Sequence, residues 1–145
     1  MRATDDVLNA IRRHGAEAYP EEGCGFLLGE MNAGGVRATR VHRAGNERAT
    51  ERERRFTLSP AAYRTAEAAA EDAGLDVVGF YHSHPDAPAR PSETDLTEAP
   101  FSGYAYVIIG VEDGQPAALT AWQLAPDRSR FVEDDITRDA AATPS

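Results

Sequence analysis

Two histidines separated by one residue, His82 and His84, follow a short apolar run. If that run is a strand, side chains at positions i and i+2 leave the same face, so both imidazoles can converge on one ion. Asp95 comes eleven residues after His84, beyond a loop with three prolines, and offers the oxygen type of ligand that zinc accepts. Three protein ligands leave one position for water, which is typical of a catalytic rather than a structural zinc site.

Glu22 is the candidate general base for such a site, because a carboxylate beside a metal-activated water can accept the proton that the water gives up. It lies just before an apolar segment at residues 25–29. We predict that this segment is a strand beside the histidine-bearing strand, which would aim the carboxylate at the metal. Taken alone, Glu21 and Glu22 are more simply explained as solvated surface acids.

Ser92 and Asp95 have a second explanation that does not involve catalysis. The run Ser92-Glu93-Thr94-Asp95 fits a capping box, with a serine at the N-cap and an acid three residues later. On this interpretation both residues serve the start of a helix. The two explanations are compatible, since a helix start can also orient a metal ligand, and the sequence leaves both open.

The length and the cysteine count limit what the chain can be. The 145 residues suit one ordinary domain, whereas an eight-fold α/β barrel needs about 250. Cys24 has no second cysteine to pair with, so it is most simply a small buried hydrophobe. Any metal site must therefore use histidine and carboxylate.

The charge balance limits the possible partners. With 24 acidic residues against 15 basic ones, the formal net charge is −9, which argues against a nucleic-acid partner and favours a protein or peptide. The first ten residues lack the apolar segment of a signal peptide, and no apolar run approaches the ~20 residues of a membrane span. We therefore expect a cytoplasmic protein without membrane association; the sequence indicates no oligomeric state.

Helical and strand patterns alternate along the chain. An amphipathic helix ending before Pro20, a hairpin, and a helix with Ser59 at its N-cap and Gly74 at its C-cap precede the apolar run that leads into His82. A turn of helix from Ser92 and further strands follow. The two longer predicted helices cover residues 5–18 and 61–73, and the predicted strands cover residues 25–29, 36–41, 55–58, 76–81, 104–111, 117–124 and 129–132.

This order implies an α/β fold in which helices pack on a mixed sheet, as a single domain over residues 1–137. Residues 46–55 are densely charged with both signs, which predicts a solvated loop or an exposed edge. Residues 138–145 have nothing to bury and are predicted to form a disordered tail.

The run His82-Ser83-His84-Pro85, six further residues, Ser92, two residues and Asp95 resembles the signature of the JAMM (MPN-plus) metalloprotease family. That signature is His-x-His, seven residues, Ser, two residues and Asp. The upstream run at residues 20–29 is similar to the family's glutamate-bearing strand, in which the catalytic acid lies three residues before the glycine; this favours Glu22 over Glu21. The resemblance covers residues from about 5 to 125.

The resemblance implies a cytidine-deaminase-like α/β/α sandwich that binds one zinc ion through His82, His84, Asp95 and a water. It also implies that Glu22 deprotonates this water and that Ser92 donates to the tetrahedral oxyanion. The chain is similar to compact prokaryotic members, some of which process ubiquitin-fold sulfur carriers, releasing cysteine or another amine from the Gly-Gly tail. Such a tail is the expected substrate, laid as an extra strand along an exposed edge.

Other functions can be built on the same residues. A barrel hydrolase and a cupin also use His-x-His, but both need histidines further downstream, and His84 is the last histidine here. A non-catalytic scaffold of the same fold that binds proteins, or a peptidase for short or cell-wall peptides, is the alternative that the sequence leaves open. His14 and His42 are assigned no function.

Overall fold

A computed structural model of the chain describes residues 1–45, 59–99 and 102–139. The charged loop predicted at residues 46–55 and the strand predicted at residues 55–58 lie outside the described residues. The bounds of the helices and strands are β1 Arg2–Thr4, α1 Asp5–Ala18, β2 Cys24–Asn32, β3 Gly35–Ala44, α2 Pro60–Asp72, β4 Asp76–Pro85, α3 Glu93–Glu98, β5 Ala105–Glu112, β6 Gln115–Leu124, β7 Phe131–Asp134 and β8 Thr137–Asp139.

The described strands form one mixed sheet in the order β7-β6-β5-β4-β2-β3-β1-β8. β2 pairs antiparallel with both β3 and β4, whereas β4 pairs parallel with β5. β4 therefore lies inside the sheet with a hydrogen-bonded neighbour on each side. The predicted hairpin, the predicted strand at residues 76–81 and the two strands after it are all confirmed; β5 has its predicted length but begins one residue later, and the others are longer than predicted.

Helices cover both faces of this sheet. On one face, Val7, Leu8 and Ile11 of α1 pack in a buried cluster with strand residues that include Val107 and Ile109. On the other face, the small residues of α2 and the end of α3 pack over an aromatic layer of the strands. This arrangement confirms the predicted α/β/α sandwich with a mixed β-sheet.

Capping residues set the helix ends much as the sequence predicts. Thr4 caps α1 by accepting a hydrogen bond from Val7 N at 3.3 Å, and Ser59 caps α2 by accepting one from Ala62 N at 3.0 Å. At the other end of α2 the C-cap is Ala73, one residue before the predicted Gly74; Gly74 follows it with a φ of +70°, a left-handed conformation that glycine adopts without steric cost. The predicted bounds of both helices are therefore confirmed to within one residue.

Two short strands were not predicted. β1 and β8 pair parallel with one another, and β1 also pairs parallel with β3. The prediction of a disordered tail from residue 138 is wrong for Arg138 and Asp139, because both belong to β8 and Arg138 Nε donates to Asp5 Oδ1 at 2.7 Å. The last predicted strand, at residues 129–132, lies two residues later, at Phe131–Asp134.

Among the helices of the described residues, none combines the length and the apolar character needed to cross a bilayer.

Candidate metal centre and active site

The end of β4 presents two imidazoles to one point. The Nε2 atoms of His82 and His84 are 3.1 Å apart, and the two residues are only 5% and 8% exposed. α3 brings Asp95 to the same point: its Oδ2 lies 3.2 Å from His82 Nε2 and 3.1 Å from His84 Nε2. The three side chains that the spacing predicted as ligands therefore lie together.

Glu22 joins this group from the segment just before the neighbouring strand β2. It is 3% exposed, and one of its carboxylate oxygens lies within 4.8 Å of a ring nitrogen of His82 and of His84. The ladder between β2 and β4 explains this position: Cys24, the first residue of β2, is the partner of His82, and Glu22 lies two residues before Cys24, on the same side by alternation. The alternative of a solvated surface acid is therefore wrong for Glu22.

Ser83 fixes the backbone next to Glu22. Its N–H donates to the Gly23 carbonyl at 2.9 Å, and its Oγ accepts from Gly23 N at 2.8 Å. The two strands thus remain bonded to one another beyond the start of β2. The sequence indicated no role for Ser83, although its position between two predicted ligands on a strand requires its side chain to face the opposite layer.

The capping box and the cluster of candidate ligand atoms share one carboxylate. Asp95 N donates to Ser92 Oγ at 3.0 Å, and Asp95 Oδ2 accepts from Ser92 N at 2.8 Å. The same Oδ2 atom faces His82 and His84. The capping-box prediction is confirmed, and its geometry is also what turns Asp95 toward the histidines.

The loop after β4 sets the orientation of one imidazole. His84 Nδ1 lies 2.8 Å from the Pro88 carbonyl oxygen. Because a carbonyl can only accept, Nδ1 carries the proton, and in the neutral ring the lone pair is then on Nε2. In its neutral form His84 therefore directs the Nε2 lone pair at the cluster, as a metal ligand must, whereas the protonated ring donates from Nε2 to Asp95. The sequence did not identify this partner, because any residue type can supply a carbonyl.

Burial and hydrogen bonding oppose one another in setting the charges of the cluster. Burial lowers the pKa of His82. For His84 burial also lowers the pKa, but the hydrogen bonds to Asp95 and to the Pro88 carbonyl outweigh it and leave the pKa raised. Burial raises the pKa of Asp95, whereas the hydrogen bonds from His82 and His84 hold it far below its ordinary value. Asp95 is thus a carboxylate anion at neutral pH.

A cleft of about 310 Å³ opens beside the cluster. This volume is at the lower end of the range for small-molecule sites. The exposed hydroxyl-bearing residue Ser92 and the buried Glu22 both reach it. The lining residues are Glu22, His84, Pro85, Ala87, Pro88, Arg90 and Ser92.

Behind the site, Tyr81 packs against Gly25. A Cβ at position 25 would lie 2.5 Å from Tyr81 Cε1, so only glycine fits there. The Tyr81 hydroxyl oxygen lies 2.7 Å from His14 Nδ1, which gives His14 a partner that the sequence did not identify. The helical period could have indicated this contact, since His14 follows Ile11 by three residues and borders the buried face of α1. Cys24 is fully buried, as predicted.

Comparison with known proteins identifies relatives of the whole domain. The family model of prokaryotic homologs of the JAB domain matches residues 4–125. A desampylase from Haloferax volcanii is 39% identical over 128 residues, which are 88% of this chain and 87% of that protein. A CysO-cysteine peptidase from Mycobacterium tuberculosis is 31% identical over 131 residues, 82% of this chain and 79% of that protein.

A solved structure has the same architecture. The solution structure of a protein from Salinibacter ruber is 58% identical, with a TM-score of 0.78, covering 100% of this chain and 95% of that chain. The matched family model, the two peptidase relatives and the fold agree with the resemblance noted from the His-x-His and glutamate blocks. The chain belongs to the family of prokaryotic homologs of the JAB domain and is a hydrolase of the JAMM type.

Proposed function

We propose that this chain is a zinc-dependent peptidase or isopeptidase that cleaves after the C-terminal Gly-Gly of a ubiquitin-fold sulfur carrier and releases cysteine or another amine. His82, His84 and Asp95 hold the zinc, Glu22 is the general base, and Ser92 stabilises the oxyanion. The observation that carries the proposal is the convergence of two imidazole nitrogens and one carboxylate oxygen, 3.1 to 3.2 Å from one another, beside a buried glutamate.

The donor set suits zinc. Zinc binds nitrogen and oxygen ligands at about 2.0–2.1 Å in a tetrahedron, which separates neighbouring ligand atoms by about 3.3 Å. The three distances of 3.1, 3.1 and 3.2 Å are close to this value. Lone pairs on facing nitrogen and carboxylate atoms repel one another unless a proton or a metal ion lies between them, so a cation stabilises this arrangement.

Zinc bound there supplies a Lewis acid that polarises the scissile carbonyl and acidifies a water molecule. Glu22 takes the proton of the attacking water and delivers it to the departing amine nitrogen. The Ser92 Oγ already accepts a hydrogen bond from Asp95 N, so its own hydrogen is available for donation to the oxyanion. The Pro88 carbonyl keeps the proton of His84 on Nδ1, away from the reacting group.

The relatives support the choice of substrate. One is named a desampylase and another a CysO-cysteine peptidase, and the chain covers 87% and 79% of their lengths. A flexible Gly-Gly tail suits a cleft of about 310 Å³ with three small or cyclic residues in its wall, Pro85, Ala87 and Pro88. A protein substrate also agrees with the acidic charge balance, which disfavours nucleic acid.

The test compares zinc-loaded protein with two variants. A sulfur carrier of the same organism, ending in Gly-Gly and joined to cysteine or to a lysine side chain, is incubated with wild type, Glu22→Gln or Glu21→Gln. We expect wild type and Glu21→Gln to release the carrier, as followed by intact mass, whereas Glu22→Gln should release none. Glu21→Gln is the matched control, since it makes the same change one residue away.

The outcomes separate the site from the substrate. If wild type binds about one zinc per chain and His84→Ala binds none, the ligands are as proposed. If zinc-loaded wild type leaves every carrier adduct intact, the choice of substrate is wrong. If wild type binds no zinc after reconstitution, the proposed site itself is wrong.

A further inference from the structure

One cation lines the cleft. Among the described residues of its wall, Arg90 is the one with a permanent positive charge, and Glu22 is its acidic counterpart at the buried end. Arg90 is exposed, and its guanidinium makes no ion pair or hydrogen bond with the described part of the chain. The rest of the wall near it is apolar, with Pro85, Ala87 and Pro88. The cleft thus combines a cation that no described residue neutralises with apolar surface, in the same wall as His84 and Glu22.

The backbone of Arg90 is fixed relative to His84. The Pro88 carbonyl oxygen lies 2.8 Å from His84 Nδ1 and accepts a hydrogen bond from Arg90 N, also at 2.8 Å. On the far side, the Ala89 carbonyl accepts from Thr120 Oγ1 at 2.7 Å, and Ala89 itself is buried. The backbone of Arg90 is therefore held in place relative to the His84 imidazole, while its side chain extends from it. Little backbone entropy is lost when the guanidinium binds an anion.

We propose that Arg90 binds the α-carboxylate of an amino-acid leaving group, so that the chain prefers adducts of single amino acids to isopeptides on protein lysines. The inference rests on the proposed function and specifies its substrate class. Hydrolysis breaks the bond between the carrier's terminal carbonyl carbon and the amine nitrogen; water supplies hydroxyl to the carbonyl and hydrogen to the nitrogen. In an amino-acid adduct the carboxylate carbon is two bonds from that nitrogen, whereas an isopeptide has only methylenes there.

An arginine side chain suits the binding of a carboxylate. The planar guanidinium of Arg90 can donate two parallel hydrogen bonds to it, which a lysine ammonium cannot reproduce. The apolar wall would accept a small side chain such as that of cysteine or alanine. Since Arg90 is exposed, water screens the pair, and we expect a preference of about tenfold rather than the thousandfold value of a fully buried pair.

The test uses two substrates that differ in one group. A carrier ending in Gly-Gly-Ala is prepared as the free acid and as the carboxamide, and kcat/KM is measured for each with the zinc-loaded holoenzyme. We expect wild type to favour the acid by about tenfold and the ratio to fall to about one in Arg90→Gln, with Arg90→Lys between them. Arg64→Gln, which removes an exposed arginine of α2, is the matched control and should keep the wild-type ratio.

Two results would overturn the inference without touching the proposed function. One is equal turnover of acid and amide by wild type. The other is a preference for the acid that persists in Arg90→Gln, since a group other than Arg90 would then bind the carboxylate. If neither substrate is cleaved, the proposed function fails. An NMR titration of the protein with N-acetyl-Gly-Gly-Ala, as the acid and as the amide, then still tests whether Arg90 binds the carboxylate. Equal affinities for the two would overturn the inference, and an acid preference lost in Arg90→Gln would support it.

Discussion

Ser83 and Gly23 exchange two hydrogen bonds, one from Ser83 N to Gly23 O at 2.9 Å and one from Gly23 N to Ser83 Oγ at 2.8 Å. Ser83 is 1% exposed and lies between the two imidazoles, while Gly23 follows Glu22 directly. This pair therefore links the segment that carries the proposed base, just before β2, to the strand that carries two proposed ligands.

We expect Ser83→Ala to destabilise the protein by about 1–3 kcal/mol, because the buried Gly23 N–H would lose its acceptor. Urea unfolding at neutral pH measures this change. The proposed position of Glu22 also depends on the link, so kcat should fall while bound zinc stays near one per chain. Ser102→Ala, at an exposed position, is the control. An unfolding midpoint for Ser83→Ala equal to that of the control would show that the hydrogen bond contributes nothing.

Glu22→Gln and Asp95→Ala should separate metal binding from catalysis. Glutamine keeps the shape of Glu22 but cannot take a proton, so zinc should be retained and turnover should fall by at least about a hundredfold. Alanine at position 95 removes a ligand oxygen and the N3 member of the capping box, so zinc and activity should both be lost. Elemental analysis and a hydrolysis assay on the same samples test both expectations; near-normal turnover by Glu22→Gln would exclude it as the base.

Gly25→Ala should be costly although the residue is small. The new Cβ would lie 2.5 Å from Tyr81 Cε1 and 2.6 Å from its hydroxyl oxygen, and Tyr81 is too buried to move away freely. Overpacking of this kind costs about 1–3 kcal/mol. Gly45→Ala is the matched control, since no described residue lies within 4 Å of a Cβ there. Denaturant titration of both variants compares them, and equal midpoints would contradict the close packing of Tyr81 on Gly25.

His14 should make stability depend on pH in the mildly acidic range. Burial lowers its pKa and Arg43 lowers it further, whereas Glu17 raises it, with a net lowering. In the unfolded chain the histidine pKa is about 6.5, so below that pH the unfolded state binds a proton that the folded state resists. The free energy of unfolding should therefore fall as pH drops from about 7.5 to about 5.5.

The variant His14→Phe isolates this contribution. It loses the bond to the Tyr81 hydroxyl, so it should be less stable than wild type at neutral pH, but its stability should change less with pH. Urea midpoints measured across this range for both proteins give the two slopes. Because His82 and the other titrating groups are present in both, their effects cancel in the comparison, and identical slopes would mean that His14 does not contribute.

The relation between His82, His84 and Asp95 could be predicted because it is local. Alternation on a strand places the two imidazoles on one face, and a capping box fixes the direction of the Asp95 carboxylate within one helical turn. Their spacing in the sequence therefore carries most of their geometry. Their roles in binding zinc stay a prediction.

The rest depends on contacts between distant segments. Glu22 reaches the cluster because β2 pairs with β4. That pairing was predicted from the apolar run at residues 25–29, but Glu22 taken alone was more simply a surface acid, and the resemblance to a family was needed to favour it over Glu21. β1 and β8 are three residues each and pair in parallel across the whole chain, so neither had a recognisable period. The Pro88 carbonyl was missed because backbone acceptors leave no trace in residue type.

The capping box has a further consequence for how the site is held together. α3 has six residues, far fewer than an isolated helix needs to persist in water. The oxygen of Asp95 that faces the histidines is the same atom that closes the first turn of α3. Local opening of this segment costs less free energy than unfolding the sheet. His82 and His84 therefore stay in place with β4, whereas Asp95 faces them only while the first turn of α3 is formed.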